Sequence, residues 1–223
     1  MNTNITFQKP DLILIDFDGV IAKNSPDFAV HLFHQALNEI TPIKVEFIID
    51  FFRLAMSFSV KDSLEFLFKS LGLSQDEKKT VTENYKNKVS NNLNLFHINK
   101  DFYCFIEFCK NNNIKYKVFS LAVDSRLSLI KLEPNDFYNL EDMSKANVKT
   151  FLKVKKNLNV ENVSYIDDSP LGLRTGKLSG MNTIMMYNSL FGVSEYLIYK
   201  EYIDYSVSSF SEIQTIFSNL LSN

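Results

Sequence analysis

The chain has almost no net charge. Its 24 Lys and Arg against 26 Asp and Glu leave a formal −2 over 223 residues. No basic block stands out that would neutralise a phosphate backbone, so nucleic acid is not an expected partner. Any preference for an anion must then come from a local site. Cysteine is scarce too. Cys104 and Cys109 are spaced neither as a CxxC redox pair nor as a zinc knuckle. They read as buried, reduced thiols in an apolar helix, which suits a reducing compartment. Long apolar runs are missing. The first ten residues are polar, and the apolar run after them is far too short to span a bilayer. The expectation is a soluble, cytoplasmic protein that does not engage a membrane. Gly and Pro, 6 and 5 in number, form no hinge-like stretch, and no low-complexity segment or internal repeat appears. His31, His34 and His97 share no metal-ligand spacing.

What is present is enough apolar material, 45% of residues, for a sizeable core. The length suits one α/β core with an inserted subdomain and is short for two independent domains. Leu12-Ile13-Leu14-Ile15 is continuously apolar and ends in acidic residues and a glycine, as a strand buried on both faces does. From Asp27 to about Asn92 the pattern is helical, with apolar stretches around Phe28–Gln35, Phe47–Leu54 and Leu64–Leu71. Ser74 followed by Glu77 predicts a capping box opening a fourth helix. Helices and strands then alternate. Helices are predicted over Lys100–Lys110, Val123–Leu132, Lys145–Leu158, Leu171–Leu178 and Ser211–Leu221. Strands are predicted over Lys115–Phe119, Val163–Ile166, Thr183–Met186 and, at an edge, Tyr205–Val207. This alternation predicts an α/β fold, a doubly wound, Rossmann-like parallel sheet, with an all-helical cap inserted after the first strand. The core is expected over 1–22 and 99–223, and the cap over 23–98.

In open parallel sheets ligands bind beyond the carboxyl ends of the strands. Three predicted strands end there in polar residues: Asp16 and Asp18, Ser120, and Asp167 with Asp168. Converging carboxylates repel unless a metal or protons intervene. Their oxygens are hard ligands that suit Mg²⁺ completed by water and a substrate phosphate. In Asp16-Phe17-Asp18-Gly19 the glycine lets the chain turn sharply. One carboxylate so placed can attack phosphorus while the other protonates the leaving oxygen and later activates water. Taken alone, the segment reads equally as an Asp-Gly turn after a buried strand.

Four segments in order resemble the signatures of the haloacid dehalogenase superfamily. Asp16-Phe17-Asp18-Gly19-Val20 resembles the first. The strand ending in Ser120 resembles the second, Lys145 in Lys-Ala-Asn-Val-Lys-Thr-Phe-Leu the third, and Tyr165-Ile166-Asp167-Asp168-Ser169 the fourth. The run from Gly172 to Met181 and the stretch Asp204–Glu212 are similar to the helix and the closing strand–helix that follow. The insert has the position and helical type of the family's first cap class. The resemblance implies Asp16 as nucleophile, Asp18 as general acid and base, Ser120 holding the transferring phosphoryl group, and Lys145 offsetting charge. It implies Mg²⁺ on Asp16, the backbone carbonyl of Asp18, and Asp168, with Asp167 a further ligand or its partner. The family's dehalogenases lack an acid two residues after the nucleophile, so Asp18 favours phosphoryl transfer.

The activity this implies is Mg²⁺-dependent hydrolysis of a small phosphorylated metabolite, a phosphate monoester, through an aspartyl-phosphate on Asp16. A sugar phosphomutase, or a catalytically weak binding or regulatory protein on the same fold, are the alternatives. Some residues depart from the family pattern. Ala146 stands where proline is usual, Leu121-Ala122-Val123 are bulky, and the stretch from Ser120 to Lys145 is short. Lys149 competes with Lys145, and Ser120 also fits as a helix cap. In the insert, Arg53 and Lys61 are candidates for substrate binding, with snorkelling to solvent as the alternative for each. Phe47, Phe51, Phe52, Phe58, Phe66 and Phe68 read as cap core.

Overall fold

The computed structural model describes residues 9–55, 57–121, 125–138, 140, 143–188, 190–191 and 193–222. Five strands form one parallel sheet: β1 (Leu12–Ile15), β2 (Lys115–Val118), β3 (Val163–Asp167), β4 (Asn182–Met186) and β5 (Tyr205–Val207), in the order β2-β1-β3-β4-β5. The period of two in β1 explains the layering. Ile13 and Ile15 pack on one face with Phe102, Phe105, Phe210 and Phe217. Leu12 and Leu14 pack on the other with Phe151, Val154 and Leu173. A strand that must fill two cores has no polar face, which is why its sequence reads as an unbroken apolar run.

The helices on the first face are α5 (Phe102–Asn111) and α9 (Phe210–Leu221). Those on the second are α6 (Val148–Leu158) and α7 (Pro170–Leu178), and α8 (Val193–Tyr199) follows β4. Between β1 and α5 come α1 (Ser25–Asn38), α2 (Val45–Ala55), α3 (Val60–Ser70) and α4 (Gln75–Asn91). They bury a core of their own around Val30, Phe33, Leu37, Ile48, Leu67, Phe68 and Val81. The chain leaves and re-enters the sheet layer at one place: Ala22 bridges Ile98, and Asn99 N–H donates to the Ile21 carbonyl at 2.7 Å. The capping box at Ser74 and Glu77 is formed as its spacing predicts.

Several sequence expectations need correction. The predicted helix over 123–132 is a 3-10 turn over Ser125–Leu129, with 122–124 outside the described residues. Helix α6 begins at Val148, because the Asn147 side chain caps the Lys149 N–H, so Lys145 lies in the preceding turn. Helix α8 had no clear signal in the sequence. Cys109 is buried but Cys104 is exposed, since five residues turn a helix to its far side. Of the six phenylalanines assigned to the cap core, Phe68 is buried and Phe51 and Phe52 are partly so. Phe47, Phe58 and Phe66 are exposed.

Candidate active site

The strand order reverses direction between β1 and β3, and an open α/β sheet splits into a crevice at such a point. Asp16 follows β1, and Asp167 with Asp168 closes β3. Ile15 and Ile166 are partners in register, so these carboxylates leave the sheet side by side. One ligand oxygen from each of Asp16, Asp167 and Asp168 lies within 4.8 Å of the others, and all three residues are buried. The Phe17 N–H bonds Asp16 Oδ1 at 2.7 Å, and the Ser169 N–H bonds Asp167 Oδ1 at 2.8 Å. These backbone donors fix both carboxylates before any ligand arrives.

Lys145 is the cation of this cluster. Its Nζ lies 2.7 Å from Asp16 Oδ1 and 3.3 Å from Asp167 Oδ2, and the side chain is buried. The rings of Phe119 and Tyr165 stand 5.7 and 5.8 Å away, within reach of a cation–π attraction. Burial alone would depress the Lys145 ammonium, but Asp16 and Asp167 hold its pKa above the ordinary lysine value. Asp16 is pushed up to about 8, first by burial, against the pull of Lys145, and further by Asp167 and Asp18. Asp168 is raised well above the usual carboxylate range by burial, and then by Asp167 and Asp16. Lys149 is exposed, so the lysine at the carboxylates is Lys145.

Asp18 sits apart from this cluster, on the side facing the inserted helices. Its Oδ1 accepts from the Ser25 hydroxyl and from Arg126 Nη1 at 2.8 Å. Arg126 is buried and comes from the 3-10 turn after β2. Sequence reading missed it. A single arginine among Ser and Leu has no spacing signal, and the short stretch between Ser120 and Lys145 was the only hint of unusual structure there. Ser120 is buried at the end of β2, beside the Phe119 N–H that donates to the Ile15 carbonyl at 2.8 Å. The other two proposed cations lie elsewhere. Arg53 Nε donates to the Leu190 carbonyl at 2.7 Å and Nη1 pairs with Asp50. Lys61 is exposed, in a groove with Glu65 and Lys78. The cation set beside Asp18 is therefore Arg126, and neither of these.

The link between α2 and α3 touches the core at Ser57. Its Oγ bonds Ser169 Oγ at 2.7 Å, and its carbonyl accepts from the Ser144 hydroxyl at 2.8 Å and the Ala146 N–H at 2.7 Å. This explains Ala146: proline has no N–H to give to Ser57.

The residues fit a divalent cation. The oxygens are hard donors at mutual distances that one ion can bridge. Asp168 Oδ1 is buried with no hydrogen-bond partner among the described residues, while Asn188 donates to Oδ2. Gly19, at φ +77°, leaves room for that carboxylate, since a Cβ would fall on it.

A parallel sheet with buried carboxylates and a lysine at its switch point, and with helices inserted after its first strand, defines an α/β protein of the Rossmann-like type. The chain belongs to the haloacid dehalogenase-like hydrolase family, whose model matches residues 13–186. Among curated proteins none matches it in sequence. Solved structures share its fold. A hydrolase from Pseudomonas syringae is 14% identical with a TM-score of 0.74, over 93% of this chain and 98% of that one. A β-phosphoglucomutase from Clostridium difficile is 19% identical with a TM-score of 0.67, over 96% and 100%. A hydrolase of the same family from Deinococcus radiodurans, with bound phosphate and sodium, is 14% identical with a TM-score of 0.63, over 95% and 96%. Among the described residues no helix is long and apolar enough to cross a membrane.

Proposed function

We propose that the chain is a Mg²⁺-dependent phosphatase acting on a small phosphorylated metabolite in the cytoplasm, with residues 23–98 as its cap. The observation that carries this reading is the bridge of Lys145 between Asp16 and Asp167 inside a buried carboxylate cluster. A buried lysine so placed holds the nucleophile's orientation and offsets charge where a phosphate would add more.

In this reading an Asp16 carboxylate oxygen attacks phosphorus, and the bond from phosphorus to the ester oxygen breaks. Asp18, protonated at Oδ2 while Oδ1 accepts from Arg126 and Ser25, gives that proton to the departing oxygen. It then takes a proton from water as that water attacks phosphorus, which releases phosphate and restores Asp16. Arg126 and Ser25 orient Asp18 toward the leaving group. Ser120 would hold a phosphoryl oxygen. Asp16, Asp168, the Asp18 carbonyl and Asp167 would hold Mg²⁺, which when bound offsets charge on the phosphoryl oxygens. The phosphate in the Deinococcus radiodurans structure supports a phosphate ligand on this fold.

The test is release of phosphate from an aryl phosphate by purified protein with Mg²⁺. Asp16→Asn is expected to lower the rate by about 10³-fold or more while still unfolding as a cooperative, folded protein. A wild-type protein inert across a broad panel of phosphate esters overturns the reading.

A further inference from the structure

A cleft opens from Asp18 into the inserted helices. Asp18 and Arg126 stand at one end, and Phe33, Phe52, Phe58, Val60 and Leu64 line much of the rest. We propose that it receives an apolar leaving group about the size of a phenyl ring, so that the substrate is an aryl or branched-alkyl phosphate and not a sugar phosphate. This assignment of substrate class rests on the phosphatase reading above.

The volume is about 150 Å³, and an apolar cavity of about that size accommodates benzene. The lining offers few partners for a polyol. Apart from Asp18 and Arg126, which already pair with each other, its polar side chains are those of Ser63 and Tyr85. Hydroxyls of a sugar would be buried there without partners, which is costly. The rim carries the same message. Phe58 and Val60 are 48% and 47% exposed, although they belong to a subdomain that buries Phe33, Leu67 and Phe68 in its own core. Half-exposed apolar side chains that line a cleft suit a ligand whose apolar part covers them. The charged end is consistent with the same ligand. Asp18 lies two residues beyond the proposed nucleophile, so a phosphate at Asp16 would place its ester oxygen toward Asp18 and its organic group toward the phenylalanines.

The experiment is calorimetric titration of the full chain, with Mg²⁺ present, using benzylphosphonate, methylphosphonate and 3,4-dihydroxybutylphosphonate, the phosphonate analogue of glycerol phosphate. The phosphonates are not hydrolysed, so binding is read apart from turnover. Benzylphosphonate is expected to bind at least about tenfold more tightly than either of the others. Ala29→Leu adds bulk to the cleft from α1 and is expected to remove most of that preference. Phe58→Ser, at a half-exposed position that folding tolerates, is expected to reduce it as well. Equal affinities for the three ligands, no binding of benzylphosphonate, or a preference untouched by both variants overturns the assignment. If the preference is found and no phosphate ester is hydrolysed, the phosphatase reading fails and the apolar cleft stands. If esters of every kind are hydrolysed without the preference, the reverse holds.

Discussion

Gly19 and Gly72 both adopt the left-handed backbone, at φ +77° and +68°, yet their surroundings differ. A Cβ at Gly72 meets nothing within 4 Å, while one at Gly19 would overlap the Asp168 carboxylate and the Asn188 amide. Gly72→Ala is therefore expected to cost only the backbone term, about 1–2 kcal/mol in chemical denaturation. Gly19→Ala is expected to cost at least as much and also to weaken Mg²⁺ binding by about tenfold or more in calorimetry, because Asp168 must move. Unchanged metal affinity in Gly19→Ala would separate Asp168 from the metal site. The same scale shows what one sequence can disclose. Asp16, Asp18, Asp167 and Asp168 stood out because short apolar runs end in them, but strand ends alone left a plain turn as likely, and only the ordered resemblance to the haloacid dehalogenase signatures joined them into one candidate site. Lys145 could be weighed against Lys149, but only burial separated them. Arg126 could not be found, because its place depends on a turn whose own sequence reads as helix.

Among the elements, the inserted helices bury their own core, and two contacts with the sheet layer come from α2 and the link after it. Ser57 bonds the turn carrying Lys145 and the start of α7, and Arg53 bonds the Leu190 carbonyl after β4. These polar contacts dock the inserted helices against the sheet layer. Arg53→Ala removes one of them, and a net hydrogen bond contributes about 1 kcal/mol. Amide hydrogen exchange in α2 and α3 is expected to rise about fivefold, with exchange in β1 and β3 unchanged. A uniform rise across the sheet would mean that Arg53 supports global stability and not the docking of the inserted helices. The element boundaries were readable wherever side chains cap their own helices, as at Ser74 and Glu77. They were misread at Lys145, since α6 begins only after its Asn147 cap. Arg53 itself was noticed as a cation among apolar neighbours. Its partner is a carbonyl 137 residues away, which no local pattern discloses.

Across the whole molecule the net charge of −2 conceals a local imbalance. Asp16, Asp18, Asp167 and Asp168 face Lys145 and Arg126 as their cations, so the named groups carry an excess of negative charge when fully ionised. Folding answers this by holding protons. Asp16 is raised from an ordinary 3.8 to about 8, and Asp168 is raised well above the same starting value. Between those limits the folded state binds more protons than the unfolded chain. The stability contributed is therefore full below about pH 4 and is lost as pH rises through about 8. For the metal-free protein, the thermal midpoint is expected to fall between about pH 5 and about pH 8, because over that range Asp16 is ionised in the unfolded chain while it keeps its proton in the fold. Mg²⁺ should reverse that trend. Binding needs the ionised carboxylates and expels their protons, so the rise in midpoint caused by Mg²⁺ is expected to grow with pH over the same interval. Thermal unfolding in a chelator and in Mg²⁺, across that range, measures both slopes. A Mg²⁺-induced shift of the same size at every pH would mean that the metal does not bind at Asp16 and Asp168, and Asp168→Ala, which should abolish the shift, identifies the carboxylate concerned.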